Sequence, residues 1–512
     1  MRRIADERRD VVTERVAAAE LDARRPEAVL AEVPDALARR SRRSVVVVLV
    51  ALGAGIAAHL PGLFRPLFDS DEAAIATLGA GITRGGVLYR DLIDRKPPLA
   101  PLLYAVGFLV TGSHSIVTLR VVLGLEVGIA ALVIGYEAAR IAGSRTSGWW
   151  AGGLLVLGAV AFRPVAGQAA NYSQLALLPG CVAIVAARRG TRTAALVGGL
   201  ALGLAVLTRQ TWLLGLAPAM LGVWSHGERR IERLAILVAT MALTICAVGV
   251  FMPFGAFWHW TFSGNSDLLA VGQSQHVSQR LVESLVPFVI AHVVAIGLAL
   301  RRGVRRSEFD LWLWLAVGVV AFAIGFRFFD HYWFQTLGPL CLLAGLAAPS
   351  VRTSLRWLLI LLVVVSTAFW WSKAWSAHGF GKDWNPVLTV IASQTRPGDR
   401  ITVWGAIPEL YWRSDRDPGG ALVTSDFVVG RTAGRTDGPQ RLVDAEPGAL
   451  AAFLASLRAD PPVLFLDTST ANFRSYGHYP LRLVPAVDDF VRAHYKLIGT
   501  SQGITIWHLR DR

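Results

Sequence analysis

Between residues 44 and 372 the sequence is a succession of apolar runs broken by short basic loops, and that alternation restricts what the chain can fold into. A helix needs about 20 mostly apolar residues to cross the hydrocarbon core of a bilayer. Runs near that length lie at 44–61, 116–138, 148–162, 174–187, 193–207, 210–225, 234–253, 284–300, 311–326, 331–347 and 357–372, with a shorter one at Leu99–Gly112. Composition agrees: 53% of the residues are hydrophobic and 17% charged, against about 45–50% and about 25% in soluble domains. A water-soluble enzyme, a secreted disulfide scaffold and a disordered tail are excluded. Cys181, Cys246 and Cys341 each fall inside an apolar run and read as small buried hydrophobes.

The net charge of +14 raises the question of a nucleic-acid partner. Its distribution answers no: arginines cluster at Arg188–Arg189, Arg229–Arg230–Arg233, Arg301–Arg302–Arg305–Arg306 and Arg352–Arg356, between apolar runs, as cytoplasmic loops do. Residues 1–43, with 11 arginines and nine acidic residues in helical periodicity, are too long for the start of a signal peptide. They read as a cytoplasmic helical segment ahead of the first anchor. Placing the four clusters inside puts loop 163–173 outside, 140–147 inside and Ser113–Ser115 outside. Leu99–Gly112 then begins and ends on the outer side, as a juxtamembrane or re-entrant helix. The expectation is a polytopic α-helical membrane domain over 44–372 with about 11 crossings and an outer loop at 62–115. Residues 373–512 would form an extracytoplasmic α/β domain. Short β-rich stretches (Arg400–Trp404, Pro462–Leu466, Gly503–Leu509) alternate there with helical patterns (Pro447–Arg458, Val487–Tyr495). The 47 arginines against four lysines suggest a GC-rich bacterial genome, and hence a bacterial plasma membrane.

That ratio makes each lysine informative. In the first outer loop Asp69, Asp71 and Glu72 open a helix, where acids also serve ordinary capping, with Ser70 or Asp69 as N-cap. Further along, Asp94-Arg95-Lys96-Pro97-Pro98 brings another acid and the only lysine of the first 372 residues before a helix-starting proline pair. Carboxylates facing a cation at a membrane surface suit a phosphate-bearing lipid. Lysine holds the phosphate as a point charge, and a carboxylate takes a proton from an incoming hydroxyl.

Three features coincide: Asp71-Glu72 soon after the first span, Lys96-Pro97-Pro98-Leu99, and Gly112-Ser113 followed by Arg120 at the start of the second span. Together they resemble the GT-C fold glycosyltransferases that use polyprenyl-phosphate sugars, which include protein O-mannosyltransferases and lipid A aminoarabinose transferases. The resemblance covers the membrane region to about residue 347. It implies transfer of a sugar from a polyprenyl-phosphate donor to a hydroxyl of a glycan, lipid or protein on the outer face, in one inverting displacement. Asp71 matches the family's catalytic aspartate and would be the general base. Lys96 matches the phosphate-side lysine, and Arg209 stands where the family often has a lysine on the lipid phosphate. Both would neutralise the leaving group. Glu72 and Asp94 would orient Asp71 and Lys96 or help hold a divalent ion. His331 and Tyr332, in the stretch Arg327–Gln335, would contact donor or acceptor, as would Asn171. The family usually has an acid at that last position, so a metal or second-carboxylate role there is in doubt.

Other candidates carry less. The glycines of Gly79–Gly86 have the wrong spacing for a dinucleotide loop. Glu126 lies inside the second span, where an ionisable group is costly, and a structural pairing explains it equally well. The loop Phe254–Ser284 offers Trp258, His259, Trp260, Asn265, Asp267, His276 and Gln279 to a sugar or acceptor. Its tryptophans also suit interfacial anchoring, and its histidines could bind a metal. A polytopic lipid or solute transporter is the rival class, but transporters tend to show internal repeats with paired broken helices, and none is visible. A non-catalytic relative using its C-terminal domain as a binding module is a third reading, opposed by the presence of Asp71 and Lys96. The topology predicts that Ser113→Cys reacts with a membrane-impermeant thiol reagent added outside intact cells. Labelling only after permeabilisation would overturn the placement of Leu99–Gly112.

Overall fold

The computed structural model describes residues 44–65, 69–264, 277–377, 383–429 and 446–510. The expected N-terminal helical segment at 1–43 lies outside the described residues, as do Asn265, Asp267 and His276.

Every apolar run is helical. Among the described residues four helices are long and apolar enough to cross a membrane: Val117–Ala142, Arg230–Val250, Arg306–Phe326 and Thr353–Ser376. A fifth candidate is the pair Val277–Ala291 and Val293–Arg302, bent by 77° at His292. The remaining runs form shorter helices, among them Ser44–Ala58, Arg145–Val160, Leu177–Ala187, Arg192–Thr208 and Phe334–Ala347. Thr191 caps Arg192–Thr208 through its hydroxyl, and that helix stops at Arg209, whose backbone is extended.

Small residues let these helices meet backbone to backbone. A Cβ on Gly128 would lie 2.6 Å from the Ala51 carbonyl oxygen, and one on Gly135 would lie 2.8 Å from that of Gly148. Phe334–Ala347 runs through the middle of the bundle with all 14 residues buried. Trp212 fills a notch at Gly180, where a Cβ would stand 2.0 Å from its ring. Cys181 and Cys341 are buried in this core, whereas Cys246 is exposed. It sits on the outward side of Arg230–Val250, a helix only 22% buried and therefore mostly turned away from the bundle.

Two short helices, Ser70–Thr83 and Leu99–Thr111, lie in the segment 62–115 that the sequence assigns to the outer side, the second closed by Gly112 in the left-handed conformation (φ 63°). Against them sits a five-stranded sheet: β1 (Arg400–Trp404), β2 (Asp417–Pro418), β3 (Leu464–Asp467), β4 (Tyr495–Ser501) and β5 (Ile504–Leu509). The order is β2-β1-β3-β5-β4. β1 pairs in parallel with β2 and β3, and β5 is antiparallel to β3 and β4. The expected helix through Tyr495 ends one residue earlier, because Tyr495 pairs with Leu509 in the sheet. Gln502 (φ 53°) and Gly503 (φ 82°) make the turn between β4 and β5, the two positive values that match a hairpin to strand twist.

The sheet is tied to the outer helices at several points. Thr77 Oγ1 donates to the Pro408 carbonyl at 3.0 Å, and Trp412 Nε1 to that of His114 at 2.7 Å. Arg84 reaches Asp415 at 2.7 Å and Asp417 at 2.5 Å. Filling the Gly180 notch should disturb the bundle: Gly180→Ala is expected to cost about 1–3 kcal/mol. The readout is a lower apparent melting temperature of the detergent-solubilised protein, and an unchanged melt would contradict the packing.

Candidate active site

The site is assembled around the start of Ser70–Thr83. Asp69, in extended conformation, caps this helix by accepting the Asp71 N–H at 3.1 Å. Glu72, fully buried, takes both forks of the Arg120 guanidinium at 2.8 and 2.6 Å and the Ala170 N–H at 3.1 Å. Arg120 also donates to the Gly62 and Arg65 carbonyls. Asp71, between these two, points elsewhere: its carboxylate meets Lys96 Nζ at 2.8 Å. Both partners of this pair keep contact with solvent, at 26% and 32% exposure.

Asp94 accepts from the Arg95 N–H at 2.7 Å and from the Tyr172 hydroxyl at 2.8 Å. Tyr172 in turn lies under Lys96, whose Nζ is 4.6 Å from the ring centre, a cation–π contact. Asn171 caps the short helix Tyr172–Leu175 through Ser173 and Gln174. Its amide nitrogen approaches Asp69 Oδ2 at 3.4 Å. An acid here would set a second carboxylate against Asp69, whereas the amide supplies a donor. Arg209 donates to Ser173 Oγ and Thr211 Oγ1 and lies 4.0 Å over the Tyr332 ring. His331 stacks parallel to Phe329 and edge-on to Tyr332.

The structure therefore brings Asp71, Lys96, Arg209, His331, Tyr332, Asp94 and Asn171 together, and it turns Glu72 away to Arg120. Glu72 and Asp94 act as braces. The donors present do not fit a divalent-ion centre: both Glu72 oxygens are taken by Arg120, Asp94 is held by Tyr172, and no three His, Cys, Asp or Glu groups converge among the described residues. His259 bonds Glu446 at 2.9 Å, and Trp260 packs edge-on to Phe427. Glu126 accepts the Leu178 N–H at 3.2 Å, satisfying a donor near a helix start.

Two adjacent acids have opposite protonation behaviour. Burial alone would raise Asp71, but the positive charges of Lys96 and Arg209 hold it below the usual carboxylate range. Burial, reinforced by the Asp71 charge, pushes Asp69 up to about 8. Burial opposes the charge on Lys96, yet Asp71 and Asp94 keep it raised. Environments that split neighbouring acids in this way are how one site holds an ionised and a protonated carboxyl at neutral pH. The sequence marked Asp69 only as a cap, since nothing in its local pattern reports burial.

Because Asp69 titrates higher folded than unfolded, its stabilising contribution is full below 3.8 and is lost as pH rises through about 8. Asp69→Asn keeps a good cap and removes that loss. Its apparent melting temperature should exceed the wild-type value at pH 8 and match it near pH 4. A difference that does not widen with pH would overturn the assignment.

Neither a family model nor a curated protein sequence matches the chain. Solved structures do. ArnT from Cupriavidus metallidurans bound to undecaprenyl phosphate is similar with a TM-score of 0.60 and 14% identity, over 91% of this chain and 98% of that one. The oligosaccharyltransferase AglB from Archaeoglobus fulgidus, in complex with an inhibitory peptide and a dolichol-phosphate, gives 0.54 and 10%, over 92% and 75%. The mycobacterial arabinofuranosyltransferase AftD gives 0.50 and 15%, over 92% of this chain and 42% of that one. Likeness over nine-tenths of the chain establishes the architecture: this protein has the GT-C fold that these transferases share.

Proposed function

We propose that the protein is a membrane glycosyltransferase that moves a hexose or pentose from a polyprenyl-phosphate donor to a hydroxyl of a glycan, lipid or protein. Transfer takes place at the extracytoplasmic face of a bacterial plasma membrane. In this reading 1–43 is cytoplasmic, 44–372 crosses the bilayer about 11 times, and 373–512 is an extracytoplasmic α/β domain. The observation that carries the proposal is the solvent-accessible Asp71–Lys96 pair at 2.8 Å, with Arg209 near enough for its charge to act on the same carboxylate. The fold in which it sits is shared with a protein solved with undecaprenyl phosphate bound.

In this reading each group has a task. Lys96 and Arg209 are the cations of the site, and Arg209 is anchored by Ser173, Thr211 and Tyr332. A donor phosphate entering between them competes with Asp71 for Lys96. As Lys96 turns to the phosphate, Asp71 loses its nearest cation and becomes a stronger base, so donor binding and base activation are one event. Asp71 then takes the proton from the acceptor hydroxyl, whose oxygen attacks the anomeric carbon. The bond from that carbon to the phosphate oxygen breaks on the opposite face, inverting the centre. The electron pair leaves on the lipid phosphate, where Lys96 and Arg209 stabilise it. Asn171, His331 and Tyr332 wall the site and offer contacts to the sugars.

Purified protein incubated with a radiolabelled polyprenyl-phosphate sugar and a cell-envelope fraction should transfer label. Asp71→Asn should slow the transfer by about 10²–10⁴-fold, the usual worth of a positioned base. Because the free enzyme holds Asp71 low, wild-type kcat/KM should persist into acid below the usual carboxylate range. Equal rates for Asp71→Asn would remove the base assignment. Labelled lipid that changes leaflet in proteoliposomes with no donor consumed would favour a lipid transporter.

A further inference from the structure

The turn that carries Lys96 does not stand by itself. Residues 87–96 join the two outer helices without a helix of their own, and Tyr89 adopts a left-handed backbone there (φ 65°). Inside the turn, the Tyr89 hydroxyl donates to the Lys96 carbonyl at 2.9 Å. The other restraints come from far along the chain. The Ile93 N–H donates to the Ala421 carbonyl at 2.8 Å. Arg95 meets Glu446 at 3.2 Å and lies 4.4 Å over the Phe427 ring.

Glu446 is built to hold that arginine. Its side chain is 6% exposed, its second oxygen meets His259 Nε2 at 2.9 Å, and its N–H donates to the Phe427 carbonyl at 3.0 Å. Asp426 and Arg327 also face Arg95. The Arg95 side chain is only 14% exposed, so this pair is far from the solvated ion pairs that contribute little. Removing one partner of a buried pair is strongly felt because the other charge is stranded. Arg95 and Lys96 are adjacent, and their side chains reach opposite partners, Glu446 on one side and Asp71 on the other.

We propose that Glu446 is a positioning residue for the transfer reaction: by fixing Arg95 it sets Lys96 opposite Asp71. The inference rests on the reading of Asp71 as the base. Asp71 is faced by Lys96 from the turn, by Arg209 and His331 from two further segments, by Tyr172, and by Asp69 from its own helix start, whereas Glu72 is taken up by Arg120. Of these, only Lys96 is held by the contact with Glu446.

The test is carbodiimide labelling of Asp71 across pH, read by mass spectrometry on the purified full chain, in wild type, Glu446→Gln and Glu446→Asp. With Lys96 released, the Asp71 labelling midpoint in Glu446→Gln should move up by about one pH unit, the scale of one nearby opposite charge. Glu446→Asp should stay near wild type. Where turnover is measured, the acid limb of kcat/KM should move by the same amount in Glu446→Gln. Should Glu446→Gln not fold, Arg95→Gln gives the same readout, since His259 keeps Glu446 partnered. An Asp71 midpoint unchanged in the folded variant overturns the inference and leaves Glu446 a fold brace. A wild type that consumes no donor overturns the glycosyl-transfer reading instead, and the labelling result still decides the position of Lys96.

Discussion

Everything at the candidate site is referred to a carboxylate and a guanidinium that are both sealed from water. Glu72 and Arg120 are 0% and 1% exposed and bonded through both forks. Breaking such a pair strands a charge at a cost of about 3–5 kcal/mol. Arg120 further gathers the Gly62 and Arg65 carbonyls, and Glu72 the Ala170 N–H. One point therefore fixes the end of the first helical segment, the acidic helix, the second span and the second outer loop. Asp71 is the preceding residue, and a helix turns about 100° per residue. Holding Glu72 inward thus directs Asp71 toward Lys96.

The two ion pairs of the site differ in permanence. Glu72–Arg120 is sealed, at 0% and 1% exposure. Asp71–Lys96 is about one-quarter to one-third exposed. The sealed pair holds the frame, and under the proposed function the exposed pair is where a donor phosphate would compete with Asp71 for the lysine. In that reading Asp69, pushed toward its neutral form, adds no second negative charge beside the phosphate.

What could be seen in the sequence was what has local or compositional form. Apolar runs gave the helices, and the isolated Lys96 beside Asp94 pointed to the centre of the site. Glu72 was visible as an acid next to Asp71, but its direction depends on Arg120, 48 residues away. The burial of Asp69 comes from the second outer loop. Glu446 stands 351 residues from its partner Arg95, with no motif around either. Hydropathy also gave no warning that several apolar runs would form short helices. The helix Arg192–Thr208, for one, starts at the Thr191 cap and stops at the extended backbone of Arg209.

The ties between the outer helices and the sheet (Thr77 to Pro408, Arg84 to Asp417, Ile93 to Ala421) join residues made early to residues made more than 300 positions later. Synthesis runs from the N-terminus, so the first outer loop is laid down at the membrane long before its scaffold exists. Through that interval the lysine turn lacks its Arg95 anchor. The geometry of the candidate site is completed last, when the C-terminal strands close over a bundle already in place, and a prematurely ended chain would hold the acids without the contacts that position Lys96.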